Sequence, residues 1–207
     1  MKSKILKDDP KGIEKAGRLI LQGGIVAFPT ETFYALGADA LNEQAIQKVY
    51  EIKDREEGKP LLLLVAEKDW LPALIREFPP PAEKLIERFW PGPLTLIFGA
   101  SARIPAKLTG HTGKVGIRVP GHPVARELIR AVGRAVTGTS ANPSGSPSAS
   151  FAAEVVQALG AKIDAVLDGG RTPGGLGSTV LDVSGPSPVM VRQGVVPAPE
   201  LFAFFRK

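Results

Sequence analysis

The sequence predicts a mixed α/β fold with helices packed on a twisted sheet, and three observations lead there. Short apolar runs alternate with segments whose apolar residues recur at helical spacing. Several late strand-like runs follow one another too closely for helical crossovers, which argues against a purely parallel, doubly wound sheet. The 23 glycines and 19 prolines punctuate the whole chain instead of gathering in one linker. With 207 residues, no internal repeat and no clear boundary, one domain over 1–207 is expected, with its core at about 10–196 and a tail at 197–207.

Taken in order, Asp9 and Pro10 supply an N-cap and first-turn proline, Ile13, Ala16 and Ile20 form one apolar face, and Gly23 ends the helix. GIVAF (24–28) is a strand broken by Pro29. A second helix runs from about Asn42 to Lys53, with Ala45, Val49 and Ile52 on one face and Ile46 and Tyr50 beside them. LLLLV (61–65), bounded by Pro60, is a buried strand. Ala82, Leu85, Ile86 and Phe89 repeat at helical spacing before Pro91-Gly92-Pro93. LTLIF (94–98), VGIRV (115–119) and AVT (135–137) are strands, and Pro123 opens a helix between the last two. SANPSGSPSAS (140–150) is an extended loop, and Ser150 and Gly160 bracket a helix carrying Ala152, Val155, Val156 and Leu159. AVLD, STVLDV and PVMV finish the chain as strands.

Composition excludes several chemistries. With no cysteine there is no disulfide, zinc thiolate or cysteine nucleophile, and a reducing, cytoplasmic setting is expected. MKSKILKDDPKG holds no apolar run suited to a signal peptide, and no later run is long enough for a membrane span. The net charge of +5 fits either an ordinary basic surface or an anionic partner such as a nucleotide or RNA. Lys59 precedes Pro60 and Lys114 precedes Val115, so no Walker A loop is present. A Rossmann G-x-G-x-x-G and a G-x-S-x-G frame around Ser140 are also missing. His111 and His122 stand alone, which predicts surface or capping roles and no protein metal site.

Four polar segments sit at predicted strand ends, where α/β sheets present their sites. PTETFYALG (29–37) places Thr30, Glu31 and Thr32 between a core strand and aromatic residues. KDREEGKP (53–60) brings Lys53, Arg55 and Lys59 to the mouth of a buried strand; helix-dipole complementation would explain such cations equally well. In KVGIRVPGHP, Arg118 shares strand parity with Gly116 and Lys114, so all three point to one face. A cation there is costly unless it is paired or lines a cleft. TSANPSG (139–145) and its extension PSAS offer hydroxyls, amides and bare N–H groups that suit an anion, or a turn.

Taken together and in this order, these segments resemble the YrdC/TsaC family of threonylcarbamoyl-AMP synthases. PTETFYALG is similar to the family's PTET-x-YGLG signature, KDREEGKPLLLL to its K-x-R…PL segment, and the likeness continues through VGIRVPGHP, TSANPSGSPS, GSTVLDV and VRQG. It spans roughly residues 10–196. The resemblance implies a YrdC-like fold with a positively charged cavity, and it implies roles. Lys53, Arg55, Ser140 and Asn142 match the catalytic Lys-Arg-Ser-Asn set. Arg55, Lys59, Lys114, Ser140, Ser148 and Arg192 match ATP contacts, and Thr30, Arg118 and Ser178 match threonine contacts. Ala35 replaces the usual glycine of the signature and Phe33 a smaller β-branched residue, so both bear on the shape of the amino-acid pocket. The chain resembles the short members and ends soon after VRQG, without the longer members' additional domain.

The implied substrates are L-threonine, bicarbonate and ATP, with Mg²⁺ held through phosphates, and the implied product is a carbamate-linked adenylate plus pyrophosphate. The product would serve the tRNA threonylcarbamoyltransferase machinery downstream. Two rivals stand beside this: a carbamoyl-adenylate-forming enzyme, and an RNA-binding protein holding backbone phosphates, including tRNA, weakly in the same basic concavity. Aromatic residues make up only 6% of the chain, which leaves few stacking platforms for RNA.

Overall fold

The computed structural model describes residues 4–205. In chain order the elements are β1 (Lys4–Lys7), α1 (Pro10–Leu21), β2 (Val26–Pro29), β3 (Tyr34–Gly37), α2 (Glu43–Lys53), β4 (Leu63–Leu64), α3 (Leu71–Leu74), α4 (Pro80–Phe89), β5 (Leu94–Gly99), β6 (Lys114–Arg118), α5 (Pro123–Val132), β7 (Val136–Thr137), β8 (Thr139–Ser140), α6 (Ala152–Leu159), β9 (Ala165–Asp168), β10 (Thr179–Asp182), β11 (Val189–Arg192) and α7 (Ala198–Phe202). The strands divide into two mixed sheets, ordered β1-β9-β2-β3-β8 and β11-β10-β5-β6-β4-β7. In the first, β1, β9 and β2 run parallel, β3 is antiparallel to β2, and β8 is antiparallel to β3. In the second, β10 is parallel to β5 and β4 to β6, with antiparallel pairing elsewhere.

Local chemistry explains most boundaries. Asp9 accepts the Gly12 N–H at 2.8 Å and Pro10 occupies the first turn, so α1 starts where an N-cap and a pre-set φ coincide. Asn42 caps α2 by accepting from the Gln44 and Ala45 N–H groups at 3.0 and 3.1 Å. Glu154 reaches back to the Ser150 and Phe151 N–H groups, so α6 begins one residue later than the Ser150 bracket suggests, with Phe151 as its cap residue. Pro29 does not break β2 but ends it, paired with Tyr34 in a hairpin that turns through the PTET segment.

Two apolar clusters support the sheets. One packs α1 and α5 on the first sheet through Ile13, Ile20, Leu128 and Ile129, and Gly17 lets the helices meet closely at Ala131. The larger one gathers α2, α4 and α6 around Leu63, Leu96, Phe98 and Ile117. Residues 197–205, expected only as a tail, pack on it: Leu201 is buried and Phe204 meets Phe89 edge-on at 5.7 Å.

The sheets join at Thr137. Its hydroxyl donates to the Leu36 carbonyl and accepts the Ala38 N–H, each at 3.0 Å, and its own N–H donates to the Ala38 carbonyl at 2.9 Å. Residues 136–140 thus leave the second sheet as β7 and enter the first as β8, and the space beside this crossing is the site. Among the described residues no helix is long and apolar enough to cross a membrane.

Candidate functional site

A cavity of about 580 Å³ opens between the sheets, a volume suited to a small ligand. Its lining includes Lys53, Arg55, Arg118 and Arg192 and no carboxylate. It also includes Thr30, Ser140, Asn142, Ser148 and Ser178. Of the residues matched to catalytic, ATP or threonine contacts, Lys59 and Lys114 lie outside this lining. Lys59 is exposed and pairs with Glu56 at 3.2 Å. Lys114 crosses β5 on the face it shares with Gly116 and Arg118, and meets Asp182 at 2.8 Å. Burial raises the Asp182 carboxyl, but hydrogen bonds from Lys114 and Ser184 outweigh it and hold the pKa below its ordinary value.

Lys53 and Arg55 diverge because the chain turns between them. Asp54 takes the left-handed conformation, with φ of 50°, and ends α2. Lys53 therefore stays on the buried face, where its ammonium donates to the Ser140 and Asn142 carbonyls at 2.6 Å each and to Asn142 Oδ1 at 3.3 Å. Burial, then the like charge of Arg55, lowers its pKa to about 8. Asn142 passes the restraint on, its amide donating to the Ser146 carbonyl, and Ser144 N–H donates to the Lys53 carbonyl at 2.8 Å. Arg55 lies at the opening; its Nε and Nη2 donate to the Lys59 and Pro60 carbonyls at 3.3 and 3.0 Å.

Arg118, 3% exposed in β6, also lines the cavity. Its Nη1 donates to Glu31 Oε1 at 2.8 Å, and Glu31 Oε2 accepts the Gly121 N–H at 3.0 Å. Among the described residues Nε of Arg118 is buried with no protein partner. Burial lowers the Arg118 pKa and Glu31 opposes that shift. Arg192 donates through Nε and Nη2 to the Ser178 carbonyl at 3.1 and 2.8 Å and through Nη2 to its hydroxyl at 3.1 Å. Burial and then the neighbouring Arg118 charge lower its pKa. The Ser178 hydroxyl also meets Thr95 at 2.9 Å. Thr30 and Thr32 share a 3.0 Å contact, and the Thr30 hydroxyl donates to the Phe33 carbonyl at 2.7 Å, shaping the hairpin turn. Phe33 and Ala35, the two departures from the family signature, both line the cavity.

Several lining residues carried no role in the sequence reading: Thr32, Thr95, Ser144 and Gln193. Thr95 had a signal, a hydroxyl inside the otherwise apolar run LTLIF at the parity of Ile97. His122 is the half-buried cap residue of α5; burial lowers its pKa, with Glu31 and Asp8 pulling the other way. Among the described residues no group of three or more His, Cys, Asp or Glu could hold a metal ion. With no carboxylate in the lining, Mg²⁺ fits here only as an ion carried by ligand phosphates.

Comparison with known proteins gives the same outline. The Sua5/YciO/YrdC family model, described as telomere recombination, matches residues 18–194. A threonylcarbamoyl-AMP synthase of Pyrococcus abyssi is 42% identical over 91% of this chain and 56% of its own length. One of Halorhodospira halophila is 38% identical over 77% of this chain and 84% of its own. The structure of P. abyssi Sua5 complexed with L-threonine superposes with a TM-score of 0.94 at 38% identity, over 99% of this chain and 61% of that one. The chain spans about half the length of the first curated relatives it matches.

Proposed function

The chain belongs to the Sua5/YciO/YrdC family, and on that premise we propose that it joins L-threonine, bicarbonate and ATP into threonylcarbamoyl-AMP with release of pyrophosphate. The observation that carries the reading is a cavity that brings four cations together with hydroxyl and amide groups. Arg118, its Nε unpartnered and its Nη1 paired with Glu31, lines it with Thr30, Thr32 and Ser178, and so do Arg55, Arg192 and the loop clamped by Lys53. A zwitterionic amino acid and a nucleoside triphosphate suit such a lining.

In this reading Arg118 takes the threonine carboxylate, and the Thr30 and Ser178 hydroxyls orient the amino acid. The threonine amine adds to bicarbonate-derived CO₂ and sheds a proton, giving a carbamate. A carbamate oxygen then attacks the α-phosphorus of ATP, and the bond to the bridging oxygen breaks to release pyrophosphate. The carbamate is labile in water, so a cavity that holds it beside the phosphate does much of the work. Arg55 and Arg192 are the cations placed to meet developing charge, with Ser140 and Ser148 as hydroxyl donors. Lys53 acts through the Ser140–Asn142 loop, since its three protons already point there. Mg²⁺, bound to the phosphates, would supply further charge neutralisation. The cytoplasm is the setting this implies, with the product passing to the tRNA threonylcarbamoyltransferase machinery.

The test is incubation with ATP, L-threonine and labelled bicarbonate, followed by mass spectrometry. A labelled threonine-containing adenylate and equimolar pyrophosphate are expected. Label in an adenylate formed without threonine would replace this reading with carbamoyl-adenylate formation. No adenylate, with salt-sensitive RNA binding, would replace it with RNA retention.

A further inference from the structure

We infer that Glu31 is a positioning residue for the amino-acid substrate, acting entirely through Arg118. This rests on the assignment of Arg118 to the threonine carboxylate. A guanidinium has two in-plane forks, one between its terminal nitrogens and one between Nε and a terminal nitrogen, and either can grip a carboxylate. Glu31 Oε1 takes Nη1 at 2.8 Å, so that terminal nitrogen is engaged inside the protein. Nε has no partner among the described residues, and no hydrogen bond is made there by Nη2. The free fork is therefore the Nε–Nη2 edge, and Glu31 determines which edge that is.

Glu31 is itself held. Its second oxygen accepts the Gly121 N–H at 3.0 Å, and a Cβ at Gly121 would stand 3.4 Å from Glu31 Cγ. The carboxylate is thus pinned between the PTET turn and the VPGHP segment, 90 residues apart in sequence. It also offsets the burial of Arg118, whose charge lies close enough to Arg192 to depress that residue's pKa. Without it, Arg118 would keep its charge but lose the bond that fixes its plane.

The experiment is steady-state kinetics on the full chain. Glu31→Gln should raise KM for threonine by about 10–100-fold, as removal of a partner behind a binding group typically does, and leave KM for ATP unmoved. In an Arg118→Ala background, Glu31→Gln should add nothing further to the threonine KM. Equal rises in both KM values, or additive effects in the double variant, would show a merely structural role and overturn the inference. If Glu31→Gln fails to fold, Glu31→Asp keeps the charge and withdraws it by one methylene; a threonine-specific rise is again expected, and its absence overturns the inference. Arg118→Ala with undiminished threonine affinity would instead refute the assignment of Arg118, a distinct outcome.

Discussion

Lys53 is a cation whose three protons all go to one loop, which changes what its charge is for. Its pKa is lowered from 10.5 to about 8, first by burial and then by Arg55. The unfolded chain therefore binds the extra proton between those values, so this group makes stability rise with pH from about 8 to about 10.5 and gives no slope below. Activity should run the other way. A neutral amine has only two N–H groups for three oxygens, so the loop loosens and turnover falls as pH rises through about 8. Lys53→Met keeps the apolar stem and removes the donors; turnover should fall about 10²–10³-fold, by analogy with loss of one preorganised donor. Pyrophosphate release across the alkaline range measures both effects, and near-normal turnover in Lys53→Met would sink the clamp. The pattern K-x-R announced two cations but not their divergence, because that depends on the left-handed turn at Asp54. Lys59 and Lys114 have the same composition signal, yet Glu56 and Asp182 engage them outside the lining, and only the Glu56 pairing is local enough to read from sequence.

At the scale of elements, the join between β10 and the VRQG segment is what aims Ser178 and Arg192. Gly194 donates its N–H to the Thr179 hydroxyl at 3.0 Å, and a Cβ there would lie 2.3 Å from the Gly177 carbonyl oxygen and 2.5 Å from Ser178 C. Backbone atoms cannot yield as a side-chain tip can. Gly194→Ala should cost about 1–3 kcal/mol of stability and, by shifting Ser178 and Arg192 together, raise KM for threonine more than the stability loss alone explains. A thermal melt beside the kinetic assay separates the two, and an unchanged KM would mean that the join does not aim the site. Elements with caps or period were legible: Asp9 and Asn42 announced α1 and α2, and LTLIF announced β5. The strands β1, β3 and β8 were not. β1 is a charged edge strand with only Leu6 buried, β3 hides behind the polar PTET turn, and β8 is two residues of a Ser-rich segment. Even LLLLV pairs as a strand only at Leu63–Leu64, because Leu61 and Leu62 are bonded instead to Leu108 and Gly138.

At the scale of the molecule, the mixed α/β character was legible from the crowding of late strands, whereas the division into two sheets was not, since it depends on where residues 136–140 change partners. That change makes the cavity, and Thr137 holds it in place. The Ala38 N–H has the Thr137 hydroxyl as its acceptor, in a setting with no access to water. Thr137→Val preserves the shape and leaves that donor unsatisfied, a loss of about 1–3 kcal/mol. Urea unfolding should show a lower midpoint with an unchanged slope, because the surface exposed on unfolding is the same. The cavity's walls belong to different sheets, with Tyr34 and Ala35 on one and Thr95, Gly116 and Arg118 on the other. Loosening the joint should therefore weaken turnover even though Thr137 touches no substrate group in this reading. A Thr137→Val protein with the expected stability loss but wild-type kcat/KM would show that the two sheets keep their spacing without it.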